Sequence, residues 1–350
     1  MSRKPDGEGT DMTERPGRGR RLRGARAAVA LLALLLLLPA RSARPEDPVR
    51  PLSYYSNIAL SGNPTLDDMW ERIRVAREIG ADQMTRYPEV RAPIATAGMM
   101  DSDLLGKLVA DMQHQMRSEV KMAYRELFAV RKQAEAAGNA WEALREVAEI
   151  SRKLYLVGKG GQPDVLRAEV AVAKAREEVL ELENQETRVA TRLNVLSGLK
   201  PGDPVPPVEP VTEFPFPYTA EELIRTYREE RILPKVMLQT IRKGRSMGAA
   251  QEQREIRYMD IEAQALIASA HSSIRTRGAL ISLYRATVIP QAEQVFQALL
   301  EGYRVGRTGF PLLMDAAREV YTARKTYYSM VGEIHVARAK LEGVVGKAFP

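Results

Sequence analysis

The sequence predicts an all-α fold of two tandem, long coiled-coil helical hairpins with little or no β-structure. Three observations carry that prediction. One stretch of the chain recurs 148 residues later, each copy holds an apolar seam with coiled-coil period, and each copy opens on a turn of glycine and proline. An internal repeat fixes architecture before any residue is read for chemistry.

Residues 155–198 recur as 303–346 with 11 identities in 44 positions, among them Tyr155/Tyr303, Val157/Val305, Gly158/Gly306, Gly161/Gly309, Pro163/Pro311, Arg176/Arg324 and Gly198/Gly346. The chain divides around these copies: 1–42 an export signal, 43–200 a first helical repeat with its tip near 157–163, 201–218 a proline-rich linker, and 219–350 a second helical repeat with its tip near 305–311. In the signal, Arg18, Arg20, Arg21, Arg23 and Arg26 precede an apolar run from Ala27 to Leu38, and Ala40 and Ser42 fit a signal-peptidase site. A spanning anchor is the competing reading, but about 12 apolar residues fall short of the roughly 20 needed. The segment ahead of Met12 is long for such a signal, so translation starts at Met1 or Met12.

In the first repeat the arm toward the tip keeps a three-four rhythm through Val120, Ala123, Leu127, Val130, Ala134, Ala137, Trp141, Leu144, Ala148 and Tyr155, broken at Ser151. At about 1.5 Å per residue, an arm over 115–157 reaches roughly 60 Å. The returning seam runs Val165, Ala168, Val172, Ala175, Val179, Leu182, Glu186, Val189, Leu193, Leu196. In the second repeat it runs Leu313, Ala316, Val320, Ala323, Tyr327, Met330, Ile334, Ala337, Leu341, Val344. A period of 3.5 sustained over about four heptads is a coiled-coil seam. Glu186 is its one polar member, read as a register-setting residue or, alternatively, a pore-lining group.

Gly158, Gly160 and Gly161 in one tip, and Gly306 and Gly309 in the other, permit the positive φ that ends a helix. Pro163 and Pro311 follow where a first turn tolerates a missing N–H. Between the repeats, seven prolines in 201–217 exclude helix and read as an extended strap. Thr219 and Glu222 then form a capping box that starts another helix.

Tyr155-Leu-Val-Gly158 followed by Pro163-Asp-Val-Leu-Arg-Ala168, and Tyr303-Arg-Val-Gly306 followed by Pro311-Leu-Leu-Met-Asp-Ala316, make the chain resemble the TolC family of outer-membrane efflux proteins. Supporting pieces are Val288-Ile-Pro-Gln-Ala292, Leu193-Asn-Val-Leu-Ser-Gly198 and Asn63-Pro-Thr-Leu66. The resemblance implies a homotrimer whose helices form a hollow periplasmic cylinder. It also implies hairpin tips that meet a periplasmic adaptor protein of an inner-membrane pump, with Val157, Gly158, Gly161, Val305, Gly306 and Gly309 as the docking residues. Just past each tip the family often carries two acidic residues that narrow the pore. Asp164 matches the first in copy one and Asp315 the second in copy two, while Arg167 and Leu312 replace the others. Asp164 is equally an acid placed for the helix dipole.

The family also inserts two β-hairpins per protomer in the outer membrane, each strand needing about 9–11 residues. The first should follow Tyr87-Pro-Glu-Val90 and the second fall near Tyr258-Met-Asp-Ile261, yet neither place has room for two strands. The chain thus reads as keeping the helical hairpins and lacking the barrel.

Composition excludes other classes. The whole chain is +7, but residues 1–42 hold nine basic and four acidic side chains, leaving only +2 for the exported part and no concentrated basic face for nucleic acid. Zero cysteines rule out disulfides and a lipidated cysteine. His114, His271 and His335 are scattered, outside metal-ligand spacing, and no motif supports an enzyme or a cofactor. The expected role is that of an exported protein of the periplasm or outer membrane, a passive conduit for solutes in a tripartite efflux system. The alternative is a periplasmic coiled-coil scaffold without a channel.

Overall fold

The apolar seams of both repeats become long helices in the computed structural model, which describes residues 49–62, 66–68, 70–71, 102–210, 216–231 and 249–349. All of these belong to one unit of the chain, Pro48–Pro350. Among the described residues the elements are α1 (Leu52–Ser61), α2 (Ser102–Leu156), α3 (Gln162–Leu196), α4 (Ala220–Glu230), α5 (Ala249–Leu283), α6 (Ile289–Arg304) and α7 (Phe310–Val345), and no strand occurs. The arm of the first hairpin is longer than its seam implied: α2 has 55 residues, about 80 Å.

The helices lie in the order α3, α2, α7, then α5 and α6. α2 and α3 form the first hairpin; α5, α6 and α7 form the second. Every position of both returning seams is buried or half-buried, as the heptad period requires. The arm seam holds from Val120 to Ala137 but drifts near the tip, where Val147, Ser151 and Leu154 are buried and Tyr155 is exposed. A helix of 3.6 residues per turn slides past a 3.5-residue pattern, so the face turned to the partner shifts by one residue.

Small residues let α2 and α7 approach closely. A Cβ on Gly332 would stand 2.7 Å from the Ala129 Cβ, and one on Gly343 would stand 2.8 Å from the Ser118 hydroxyl. That hydroxyl donates to the Ala339 carbonyl at 2.5 Å. At the end away from the tips, Tyr55, Tyr124, Leu193, Leu223, Tyr227, Ile267, Ile334 and Leu341 form the main core. There Asp111 and Arg231 make a buried ion pair, and Arg231 donates to the Gly343 carbonyl at 3.1 Å.

The second hairpin alone contains a π-helical turn, Tyr284–Val288, at the junction of α5 and α6. Its cause is Pro290, which has no N–H and whose ring would strike the carbonyl four residues back; one widened turn relieves both problems.

The described parts of the linker, 201–210 and 216–218, form no helix, as their prolines dictate, and side chains satisfy carbonyls of the first part. Arg131 donates to the Pro206 and Val205 carbonyls at 2.7 Å each and pairs with Glu186 at 2.8 Å. Glu186, the odd polar residue of the seam, is therefore one half of the clasp that holds the linker on α2. The capping box forms, with Thr219 Oγ1 accepting from the Glu222 N–H at 3.2 Å and Glu222 returning the bond to the Thr219 N–H at 2.8 Å.

The export signal and the first expected β-hairpin site, after Val90, lie outside the described residues. The second site, 258–261, is helical and inside α5. No described helix is long and apolar enough to cross a membrane.

Candidate docking site at the hairpin tips

Each tip is a helix end, a glycine turn and a proline start, and the two backbones are built alike. Gly158 and Gly306 adopt φ of 72° and 75°. At the first tip the N–H groups of Gly158, Lys159 and Gly160 bond the carbonyls of Tyr155, Leu154 and Leu154 at 3.0, 2.8 and 3.1 Å. At the second, those of Gly306, Arg307 and Thr308 bond Tyr303, Gly302 and Gly302 at 3.0, 2.8 and 3.3 Å. These bonds satisfy carbonyls that a helix end leaves orphaned, and they hold each turn rigid. Among the described residues the glycines with positive φ are Gly158, Gly198, Gly306 and Gly346, two pairs of repeat equivalents.

The other tip glycines have different reasons. Gly161 and Gly309 are extended, at φ −92° and −76°, and lead into Pro163 and Pro311 in the first turns of α3 and α7. Gly160 also lacks positive φ; a Cβ there would stand 3.2 Å from the Leu154 Cβ. The expectation that all five glycines supply positive φ is corrected to Gly158 and Gly306.

Beneath the turns the two hairpins share a core of Val147 and Leu154 from α2, Ala168 from α3, Phe296, Leu300 and Tyr303 from α6, and Phe310, Leu313 and Ala316 from α7. Ser151, the break in the seam, hydrogen-bonds the Tyr303 hydroxyl at 2.8 Å and donates to the Val147 carbonyl at 2.8 Å. A polar residue in this position is thus matched to the polar end of the aromatic it faces. Burial first, and then the nearby charge of Asp164, push the Tyr303 phenol up, while the Ser151 bond opposes them. Arg304 adds an ion pair to Glu146 across the hairpins.

The repeat-equivalent tyrosines part ways. Tyr303 is 5% exposed, whereas Tyr155 is 45% exposed and continues into Leu156 at 75% and Val157 at 66%. Val305 is 63% exposed. Asp164 is half-buried in the first turn of α3. Asp315 is exposed and pairs with Arg318 one turn on, at 3.4 Å. The tips therefore bring the six docking candidates into two turns with Val157 and Val305 standing outward. The two acids occupy unlike settings.

Sequence reasoning missed three partners of these elements. Glu178 on α3 meets both Lys325 and the Tyr321 hydroxyl on α7, linking the two repeats. The repeat-shared arginine differs in partner, with Arg176 5.2 Å over the Trp141 ring and Arg324 paired to Glu293 at 2.6 Å. The third is the Ser151–Tyr303 bond, whose one legible signal was the polar break in the seam. The histidines have separate settings. His271 bonds the Tyr218 carbonyl at 2.9 Å. Burial and the surrounding Arg125, Arg338 and Lys121 lower His335 to about 3. Burial lowers His114 as well.

No family model matches the chain. In sequence it is similar to the cobalt-zinc-cadmium resistance protein CzcC of Cupriavidus metallidurans, 26% identical over 103 residues. That stretch covers 29% of this chain and 24% of CzcC, so only a quarter of that relative's length is matched. In structure the chain is similar to the outer-membrane channel OprN, with TM-score 0.63, 18% identity, and 84% of this chain and 89% of that one covered. For the outer membrane protein VceC of Vibrio cholerae the values are 0.64, 14%, 85% and 97%. For CusC they are 0.62, 11%, 85% and 92%. The helical fold of this chain is similar to that of these outer-membrane proteins.

Proposed function

We propose that the chain is a divergent member of the TolC family, a passive outer-membrane-efflux-like conduit that assembles as a trimer and docks a periplasmic adaptor of an inner-membrane pump through its hairpin tips. The observation that carries this reading is the twin geometry of the tips. Two equivalent turns, each closed by backbone hydrogen bonds around a positive-φ glycine, hold Val157 and Val305 out in solvent, where burial against a partner would be favourable. Asp164 and Asp315 are the candidates for lining the pore of the assembled trimer. Because CzcC is named for cobalt, zinc and cadmium resistance, these ions are the first solutes to assay. The reaction assigned is transport without bond chemistry.

The test is metal tolerance of the source cell carrying a chromosomal Val157→Asp, Val305→Asp double variant. Loss of tolerance at unchanged protein level and localisation supports docking; unchanged tolerance to every solute that the deletion strain fails to tolerate refutes it. A second reading, a periplasmic scaffold with no channel, draws on the helical course of 258–261, where the family places a membrane hairpin. Fractionation separates the two: recovery as a trimer in the outer membrane with bilayer conductance excludes the scaffold, and recovery in the soluble periplasm excludes the conduit.

A further inference from the structure

We infer that the first tip is the anchor of the docking site and that the partner surface seated on it is apolar and acidic. This rests on the docking reading above and adds to it the unequal roles of the tips and the charge of the partner.

Tip one presents Tyr155, Leu156 and Val157 as consecutive exposed residues. The equivalents in tip two are spent within the fold: Tyr303 is buried against Ser151, and Arg304 is held by Glu146 and Glu301. Of the three equivalent positions there, only Val305 is left to a partner. Apolar contact area before the turn is therefore concentrated on tip one, and interfaces draw most of their affinity from such clustered anchors.

The charges around the anchor are predominantly basic. Over 150–168 and 298–316 the chain has six basic and three acidic residues, a net of +3, more than the +2 of all the exported residues together. Pairing leaves the excess in place, since of the three acids only Asp164 makes no ion pair among the described residues. Arg152 is satisfied by Glu149 and Glu169, Glu301 by Arg304, and Asp315 by Arg318. Lys153, Lys159, Arg167 and Arg307 make no ion pair among the described residues, and all four are exposed. Three of the four stand on tip one. Such a basic rim around an apolar centre steers and selects an acidic partner.

The test uses the whole exported chain, from residue 43, and two synthetic antiparallel helical hairpins with the same leucine-bearing loop. One has four glutamates flanking the loop and the other four lysines; binding is read by biolayer interferometry at low and high salt. The acidic hairpin should bind at least tenfold more tightly than the basic one, and salt should weaken it. Leu156→Ser and Val157→Ser should each cost about tenfold and Lys159→Glu with Arg167→Glu a similar factor, while Val305→Ser costs less than threefold. Circular dichroism confirms folding, and Tyr155→Ser is a second variant at the anchor. Equal binding of the two hairpins, binding of neither, equal losses from Val157→Ser and Val305→Ser, or displacement of the acidic hairpin by phosphatidylglycerol vesicles each overturns the inference. The tolerance assay on Val157→Ser tells the two claims apart. Lost tolerance with no charge preference in the hairpins leaves docking standing and removes the acidic partner, whereas full tolerance in Val157→Ser and in the double aspartate variant removes docking itself.

Discussion

At the first tip Leu154 lies against Gly160; at the second, Gly302 lies against Thr308, so the large and the small residue have changed places across the same turn. A Cβ on Gly160 would stand 3.2 Å from the Leu154 Cβ, and one on Gly302 would meet the Thr308 side chain. A change of partner occurs farther up the hairpins. Arg176 stacks on Trp141, beside Arg145 at 5.1 Å from the same ring, whereas Arg324 pairs with Glu293, which occupies the place of Arg145. Residues that fix backbone conformation have been kept in both repeats, while at the tip turn the side chains that fill space have changed places. The backbone requirement is absolute for positive φ, while packing needs only the right total volume.

The tyrosines break the symmetry most strongly. Tyr303→Ala should destabilise the chain by about 3–5 kcal/mol, as for other large buried aromatics. Tyr155→Ala should cost less than about 1 kcal/mol, since the residue is 45% exposed. Guanidinium midpoints of the chain from residue 43 measure both. Similar losses at the two sites would mean that Tyr155 is covered, for example by another copy.

The size exchange predicts a coupling. Gly302→Leu alone should cost about 1–3 kcal/mol by overpacking Thr308. The pair Gly302→Leu, Thr308→Gly copies the arrangement of the first tip and should recover at least half of the loss, a coupling within the usual range of about 0.5–3 kcal/mol for residues in contact. Strict additivity would show that the two positions do not constrain each other. The glycines supply the complementary control. No heavy atom lies within 4 Å of a Cβ at Gly158 or Gly306, so Gly158→Ala and Gly306→Ala should each cost about 1–2 kcal/mol from backbone strain alone, and equally.

What the sequence made legible follows the same division. The repeat, the seams, the turns and the capping box were readable because each depends on residues close in the chain or on a period. The glycines that take positive φ were among the 11 identities, yet Gly160 and Gly161 could not be told from Gly158, since a turn sequence alone does not show which residue meets a neighbour's side chain. The exposure of Tyr155 against the burial of Tyr303 was hidden by their identity. It arises from a one-residue drift of the seam and from Ser151, 152 residues distant from its partner. Glu186 looked anomalous because its partner, Arg131, lies 55 residues away and also holds the linker.

The arginine exchange gives a smaller effect that salt can resolve. Arg324→Met should cost about 0.5–1 kcal/mol at low salt and less in 1 M salt, because its partner Glu293 is a part-exposed carboxylate. Arg176→Met should lose a comparable amount with weaker salt dependence, since part of its contact with Trp141 is stacking area. Equal salt responses would show that the ring and the carboxylate serve the shared arginine in the same way.

The smallest expected effect concerns the link between the repeats. The hydrogen bond from Lys325, opposed by burial and helped by Tyr321, holds the Glu178 carboxyl below its ordinary value of 4.5. A depressed carboxylate stabilises the folded chain at pH above its unfolded value, and that contribution is lost as pH falls through the lower folded value. Glu178 binds Lys325 and Tyr321 on the other repeat, so this loss acts on the contact between hairpins and leaves the turns themselves untouched. Glu178→Gln should therefore lower stability at pH 7 by less than about 1 kcal/mol, given the partial exposure of the pair. As pH falls below 4.5 and through the lower folded value, the two chains should converge as the native carboxyl takes up its proton. Thermal unfolding of both between pH 3 and 7 reads the difference, and parallel curves across that range would show that the charge of Glu178 does not hold the hairpins together.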